Sequence, residues 1–296
     1  MILLHAKEPR PPQATVGLRL GEIDVSVRSC EDVVLEDFQR LYHGYPAAGG
    51  AGMSIGVDVQ RVGRFLPTCR VFSGGEPIGP GVRSADALPF VEWGLNYQLV
   101  GKRADYLCVH AAVLSRHGQG VLFPAQSGSG KSTLAAGLLT RGWKYLSDEV
   151  ALIDPATLRV HPFPKALCIK SGAFAQVRGL DLPFVGRRHY VKGAKGHVAY
   201  VNPLCMGPGA LGSHCPIRFV ILPRFVCGSE PRLLRLSPAQ AAFELTRNAM
   251  NRSAFGDRAI GLLTEVAERA EAFSLRTGSL RETGALLDAL LDRSLS

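Results

Sequence analysis

A chain of 296 residues, 46% hydrophobic and 20% charged, is long enough for one large core or two unequal ones, and its composition excludes a disordered or fibrous protein. A net charge of +9 suits an anionic partner. The basic residues are nevertheless spread along the chain, without a basic arm or interleaved aromatics, which argues for nucleotide or an acidic partner and against nucleic acid.

Seven cysteines without a C-x-x-C pair argue against a disulfide framework or a zinc site. The opening MILLHAKEPRPP is too short an apolar stretch for a signal peptide. No run approaches the roughly 20 apolar residues of a membrane span. The expectation is a cytoplasmic protein that makes no membrane contact.

In chain order, residues 16–28 alternate apolar and polar (Val16, Leu18, Leu20, Ile23, Val25, Val27) around Gly21, as a strand pair would. Residues 44–52, GYPAAGGAG, cannot hold regular structure. Short strands are expected at 55–62 and 70–72, and the glycines and prolines of 74–81 read as another turn. Residues 1–90 thus read as a small, antiparallel, β-rich N-terminal region, and helical spacing over 88–99 leads into a core domain at 91–296.

From Tyr106 the pattern becomes strand (YLCVHAAVL), strand (GQGVLFP), loop, helix (TLAAGLLTR) and strand (WKYLSDEVALID). Strands follow at 167–170, 197–201 and 217–222. Helical spacing returns at 238–250, 256–273 and 279–291.

The loop Ala125-Gln126-Ser127-Gly128-Ser129-Gly130-Lys131-Ser132 matches the phosphate-loop pattern with alanine at the first glycine position. Its two glycines let backbone N–H groups turn toward phosphate oxygens at the positive end of the following helix. In that reading 126–133, through Thr133, bind the nucleotide, Lys131 reaches the β and γ phosphates, and the Ser132 hydroxyl ligates Mg2+. Asp148 and Glu149 return on the next strand. One can hold Mg2+, with Asp148 the candidate ligand, while the other takes a proton from an attacking hydroxyl. Neighbours on a strand point to opposite faces, so both reach the site only if the strand has ended there. His110, in the apolar strand before the loop, can orient an acceptor or sit as a satisfied core residue.

Taken together, VHAAVLSRHGQGVLFPAQSGSGKSTLAAGLLTRGWKYLSDEVALID resembles the catalytic segment of the HPr kinase/phosphorylase family. EWGLNYQLV at 92–100 is similar to its HPr kinase-related kinase A group. The resemblance implies an α/β fold, a P-loop kinase core shared with ATP-dependent phosphoenolpyruvate carboxykinase, with a mixed sheet and flanking helices. It implies that His110 is the active-site histidine, that Asp148 and Glu149 are the paired acids, and that one of them is the base for a serine hydroxyl. Arg178, within QVRGL, becomes a candidate for subunit contact or transition-state charge, or is a surface turn. A homo-oligomer is also implied.

Glu149 stands in place of the family's second aspartate, and Thr133 in place of a glutamate. Both departures bear on reverse phosphorolysis. The expected activity is ATP- and Mg2+-dependent phosphorylation of a serine on a small protein or peptide. A small-molecule kinase and a nucleotide-dependent binding module are the alternatives.

Overall fold

The computed structural model describes residues 14–50, 52–62, 68–101, 104–126, 128–185, 189–193 and 196–294. Contacts divide the chain into two units, Met1–Leu99 with Val185–Ala199, and Val100–Phe184 with Tyr200–Ser296. The division therefore falls after the helix at 88–99 and not before it.

In the first unit, β1 (Ala14–Leu20) and β2 (Ile23–Ser29) form the expected hairpin, turned at Gly21 with φ 62°. The helix α1 (Asp32–Leu41) buries Val34, Leu35, Phe38 and Leu41 along one stripe. After it come β3 (Ser54–Arg61), β4 (Thr68–Ser73) and β5 (Glu76–Arg83), giving the sheet order β1-β2-β3-β4-β5. Two expectations are corrected here. The sheet is mixed, because α1 was not read from the sequence and its crossover brings β3 in parallel to β2. Residues 76–83 form a strand where a turn was expected, since Pro77 and Pro80 lie on the outermost strand, where a missing N–H is tolerated. The helix α2 (Leu88–Val100) closes this part, and its buried Glu92 accepts a 2.8 Å hydrogen bond from the Tyr42 hydroxyl. The glutamate of EWGLNYQLV is thus a packing residue of this unit.

The second unit begins with β6 (Leu107–Val109), β7 (Ala111–Arg116) and β8 (Gln119–Pro124). The β7–β8 hairpin turns at His117 and Gly118, with φ of 53° and 75°. Next are α3 (Lys131–Leu139), β9 (Lys144–Ser147), β10 (Ala151–Ile153), β11 (Arg159–His161), β12 (Leu167–Lys170) and α4 (Phe174–Val177). The chain then passes through the segment that belongs to the first unit, which holds β13 (Tyr190–Val191) and the start of β14 (His197–Val201), and it re-enters the second unit at Tyr200. The chain ends with β15 (Cys215–Phe225), β16 (Arg232–Arg235), α5 (Pro238–Asn248), α6 (Arg252–Phe255), α7 (Arg258–Arg269), β17 (Glu271–Thr277) and α8 (Leu280–Arg293). Helical spacing had been read through 273, but α7 stops at Arg269 and the next residues pair as β17, parallel to β15.

The main sheet runs β6-β10-β11-β15-β8-β7-β9, with β17 on β15 and β16 on β17. Alternation along its strands divides the core. Ala111, Val113 and Leu122 face a layer containing Leu245, Leu263 and Val266 of α5 and α7. Ala112, Leu114, Val121 and Phe123 face Leu134, Leu138, Leu287 and Leu291 of α3 and α8. The unit is therefore a mixed sheet between two helical layers. Among the described residues no helix is long and apolar enough to cross a membrane.

Candidate active site

Three strands, β8, β15 and β17, run parallel, and their carboxyl ends point the same way. In open α/β sheets this edge is where ligands bind. Here it carries a cavity of about 290 Å³ whose lining includes His110, Lys131, Ser132, Asp148, Glu149 and Lys170.

Two gaps in neighbouring strands deliver the ionisable groups. The chain leaves β6 at Val109 and resumes as β7 at Ala111, which leaves His110 between them. It leaves β9 at Ser147 and resumes as β10 at Ala151, which leaves Asp148 and Glu149 between them. Since β7 pairs with β9 and β6 with β10, the gaps lie side by side. The backbone beside the first gap is satisfied by the end of α5. His110 N–H donates to the Asn248 carbonyl at 2.7 Å, and Cys108 N–H donates to the Asn251 side chain at 2.8 Å. His110 therefore sits in a strand break, where an uninterrupted apolar strand had been read. The break at Asp148 also answers the question of opposite faces, since both acids line the cavity.

Between β8 and α3 the glycine loop turns on Gly128 and Gly130, with φ of 94° and 92°, a region costly for residues with a Cβ. Ser129 N–H donates to the Gln126 carbonyl at 3.3 Å, and Gly130 caps the helix. Lys131 is 6% exposed, and its ammonium donates to the carbonyls of Ala125 and, at 3.1 Å, Gln126. Burial lowers its pKa to about 8. Asp148 and Glu149 oppose that shift, while Lys170 adds to it. Ser127 lies outside the described residues. Gly128, Gly130, Ser132 and Thr133 line the cavity.

Asp148 is 3% exposed, and neither of its oxygens meets a hydrogen-bond donor among the described residues. Burial pushes its pKa up to about 6. The nearby Ser132 hydroxyl pulls it down without closing a hydrogen bond, Glu149 raises it, and Lys131 and Lys170 lower it. Two unpartnered carboxylate oxygens beside a hydroxyl form the all-oxygen donor set that a hard divalent cation takes, so these residues fit magnesium. Glu149 is more open, with its carboxylate 3.9 Å from the ammonium of buried Lys165.

Arg178 is not brought to this cavity. It is exposed just past the end of α4, whereas Gln176, two residues earlier, lines the wall. Lys170, Lys165 and Phe225 are neighbours of the site that the motifs did not mark. Lys170 ends a strand that was legible in the sequence, and only the sheet edge shows where that strand points.

Fold and site together define a mixed α/β protein with a cation-rich cavity at the head of a helix, facing a buried acid. The family described as SynChlorMet cassette protein ScmC matches residues 95–177, a span that includes the second half of α2, the loop and the acid pair. No curated protein matches the chain. Among solved structures, the chain is similar to the Hpr(Ser) kinase/phosphatase from Coxiella burnetii at 13% identity and a TM-score of 0.32, covering 64% of this chain and 96% of that one. A likeness at that score supports no conclusion about chemistry.

Proposed function

We propose that the protein is an ATP-dependent phosphotransferase that moves the γ-phosphate to a hydroxyl, with a serine of a small protein or peptide as the acceptor. The observation that supports this most is the buried Asp148, whose oxygens meet no hydrogen-bond donor among the described residues and whose pKa is pushed up to about 6, in one cavity with Lys131 and Ser132 at the head of a glycine-turned helix. Lys131 and Lys170 repel each other there while Asp148 and Glu149 offset that repulsion, and both lysines would attract an entering polyanion. A triphosphate is such a polyanion. It would rest on the loop amides, with Lys131 shifting from the loop carbonyls to phosphate oxygens.

Ser132 and Asp148 would hold magnesium, which when bound neutralises charge on the phosphates. Glu149 is then left to accept the hydroxyl proton, and His110, across the strand break, orients the acceptor. Lys170 adds positive charge where the transferred group becomes most anionic. Most of the work is positioning and charge neutralisation.

The test is transfer from γ-labelled ATP with magnesium to polypeptides of the source cell, with Lys131→Ala as the control. A labelled polypeptide that vanishes with the variant is expected. Label in a small molecule alone would move the acceptor to a metabolite, and binding without any transfer would defeat the kinase reading.

A further inference from the structure

The glycine loop addresses phosphates and says nothing of what they are attached to, yet one wall of the cavity bears no charge. It is built from Phe225, the last residue of β15, Thr277, the last residue of β17, and Leu280, the first residue of α8. Phe225 and Thr277 are register partners across the parallel pair. Strand β15 continues past the end of β8, so that a Cβ placed on Gly130 would lie 3.5 Å from the Phe225 Cβ. An aromatic side chain thus stands directly against the loop.

Phe225 is 40% exposed, and among the described residues no ring stacks on it and no cation sits over it. The polar groups around it are already engaged. The Thr277 hydroxyl shares a 2.7 Å hydrogen bond with Thr283, and Val226 N–H donates to the Thr277 carbonyl at 2.8 Å. What remains is a flat aromatic face with an aliphatic partner and few free donors or acceptors.

We infer that Phe225, with Leu280, is the stacking platform for the base of the bound nucleotide. The inference rests on the phosphate reading of the loop. A nucleotide whose phosphates lie on the loop needs an apolar surface for its base, and the Phe225 side chain, beside Gly130 on the uncharged wall of the same cavity, supplies one. The acceptor instead has to reach Asp148, Glu149 and His110. A platform that reads the ring face and not the ring edge favours purines over pyrimidines for their larger stacking area, and separates ATP from GTP only weakly.

Calorimetric titration of ATP and of inorganic tripolyphosphate, each with magnesium, into wild type, Phe225→Ala and Phe225→Trp tests this. The side chain is half exposed, so neither substitution threatens the fold. The expected result is a loss of ATP affinity of about tenfold or more in Phe225→Ala, recovery in Phe225→Trp, and tripolyphosphate affinity within about twofold throughout. Wild type is also expected to bind ATP and GTP alike and CTP more weakly. If Phe225→Ala binds ATP as wild type does, or weakens both ligands equally, the platform is wrong while the phosphate site stands. If wild type binds neither ligand, the phosphate reading falls and takes the platform with it.

Discussion

The two ends of α3 handle charge in opposite ways. At its carboxyl end, Asp288 of α8 accepts from Arg141, from the Trp143 indole N–H at 2.7 Å, and sits 3.2 Å from Arg116. Next to it, Asp292 receives His117 at 3.1 Å, and with Arg116 also near, its carboxyl is held below the usual range. Every charge there has its partner inside the protein. At the amino end, neither oxygen of Asp148 meets a hydrogen-bond donor among the described residues, and two lysines share a cavity with it. A satisfied cluster fastens a helix, whereas an unsatisfied one is held ready for a ligand.

Substitutions at the two ends should therefore fail differently. The largest effect is expected from Lys131→Ala, with nucleotide affinity down by at least about 100-fold and transfer abolished, measured by titration and label transfer. Asp148→Asn should lose transfer by about 10³-fold or more while raising Tm. The folded pKa of Asp148, about 6, lies above its unfolded value, so its protonated form favours the fold; that stabilisation is complete below pH 4 and is lost as pH rises through about 6. Above that, the amide recovers on the order of 2–3 kcal/mol, some 4–8 °C in Tm. A destabilised Asp148→Asn would erase the contrast.

Asp288→Asn is the mirror case. Its expected outcome is a loss of about 2 kcal/mol by thermal melting, with nucleotide affinity within about twofold. Smaller again is the pH response of metal-free nucleotide binding. With the free Lys131 near pKa 8, affinity should hold below that pH and fall by up to about tenfold per unit above it, as the amine gives up its proton. The smallest effect is expected from Arg178→Ala, with nucleotide affinity within about twofold, since Arg178 is exposed beyond α4.

Much of this site was legible from local pattern. The loop needs glycines at fixed spacing, and its strand and helix follow within a few residues, so 125–133 and the acid pair could be read without knowing the fold. Lys170 and Phe225 could not, because each ends a strand whose neighbours lie far away in sequence. The same limit hid β17, whose alternation is too short to outweigh the helical spacing before it. It also hid the parallel β2–β3 pairing, which depends on a crossover helix. Arg178 is the converse case: of the roles its motif suggested, exposure past α4 leaves a subunit contact or a surface turn.

The placement of β17 has a consequence for how the protein is made. The cavity needs His110 and the glycine loop, but also Thr277 and Leu280, which are synthesised well over a hundred residues after the loop. β17 must then slot between β15 and β16, a long-range pairing of the slow kind. A nascent chain on the ribosome can fold its glycine loop early and still lack the wall beside it. The cavity is thereby left unwalled in any chain that stops short of residue 271.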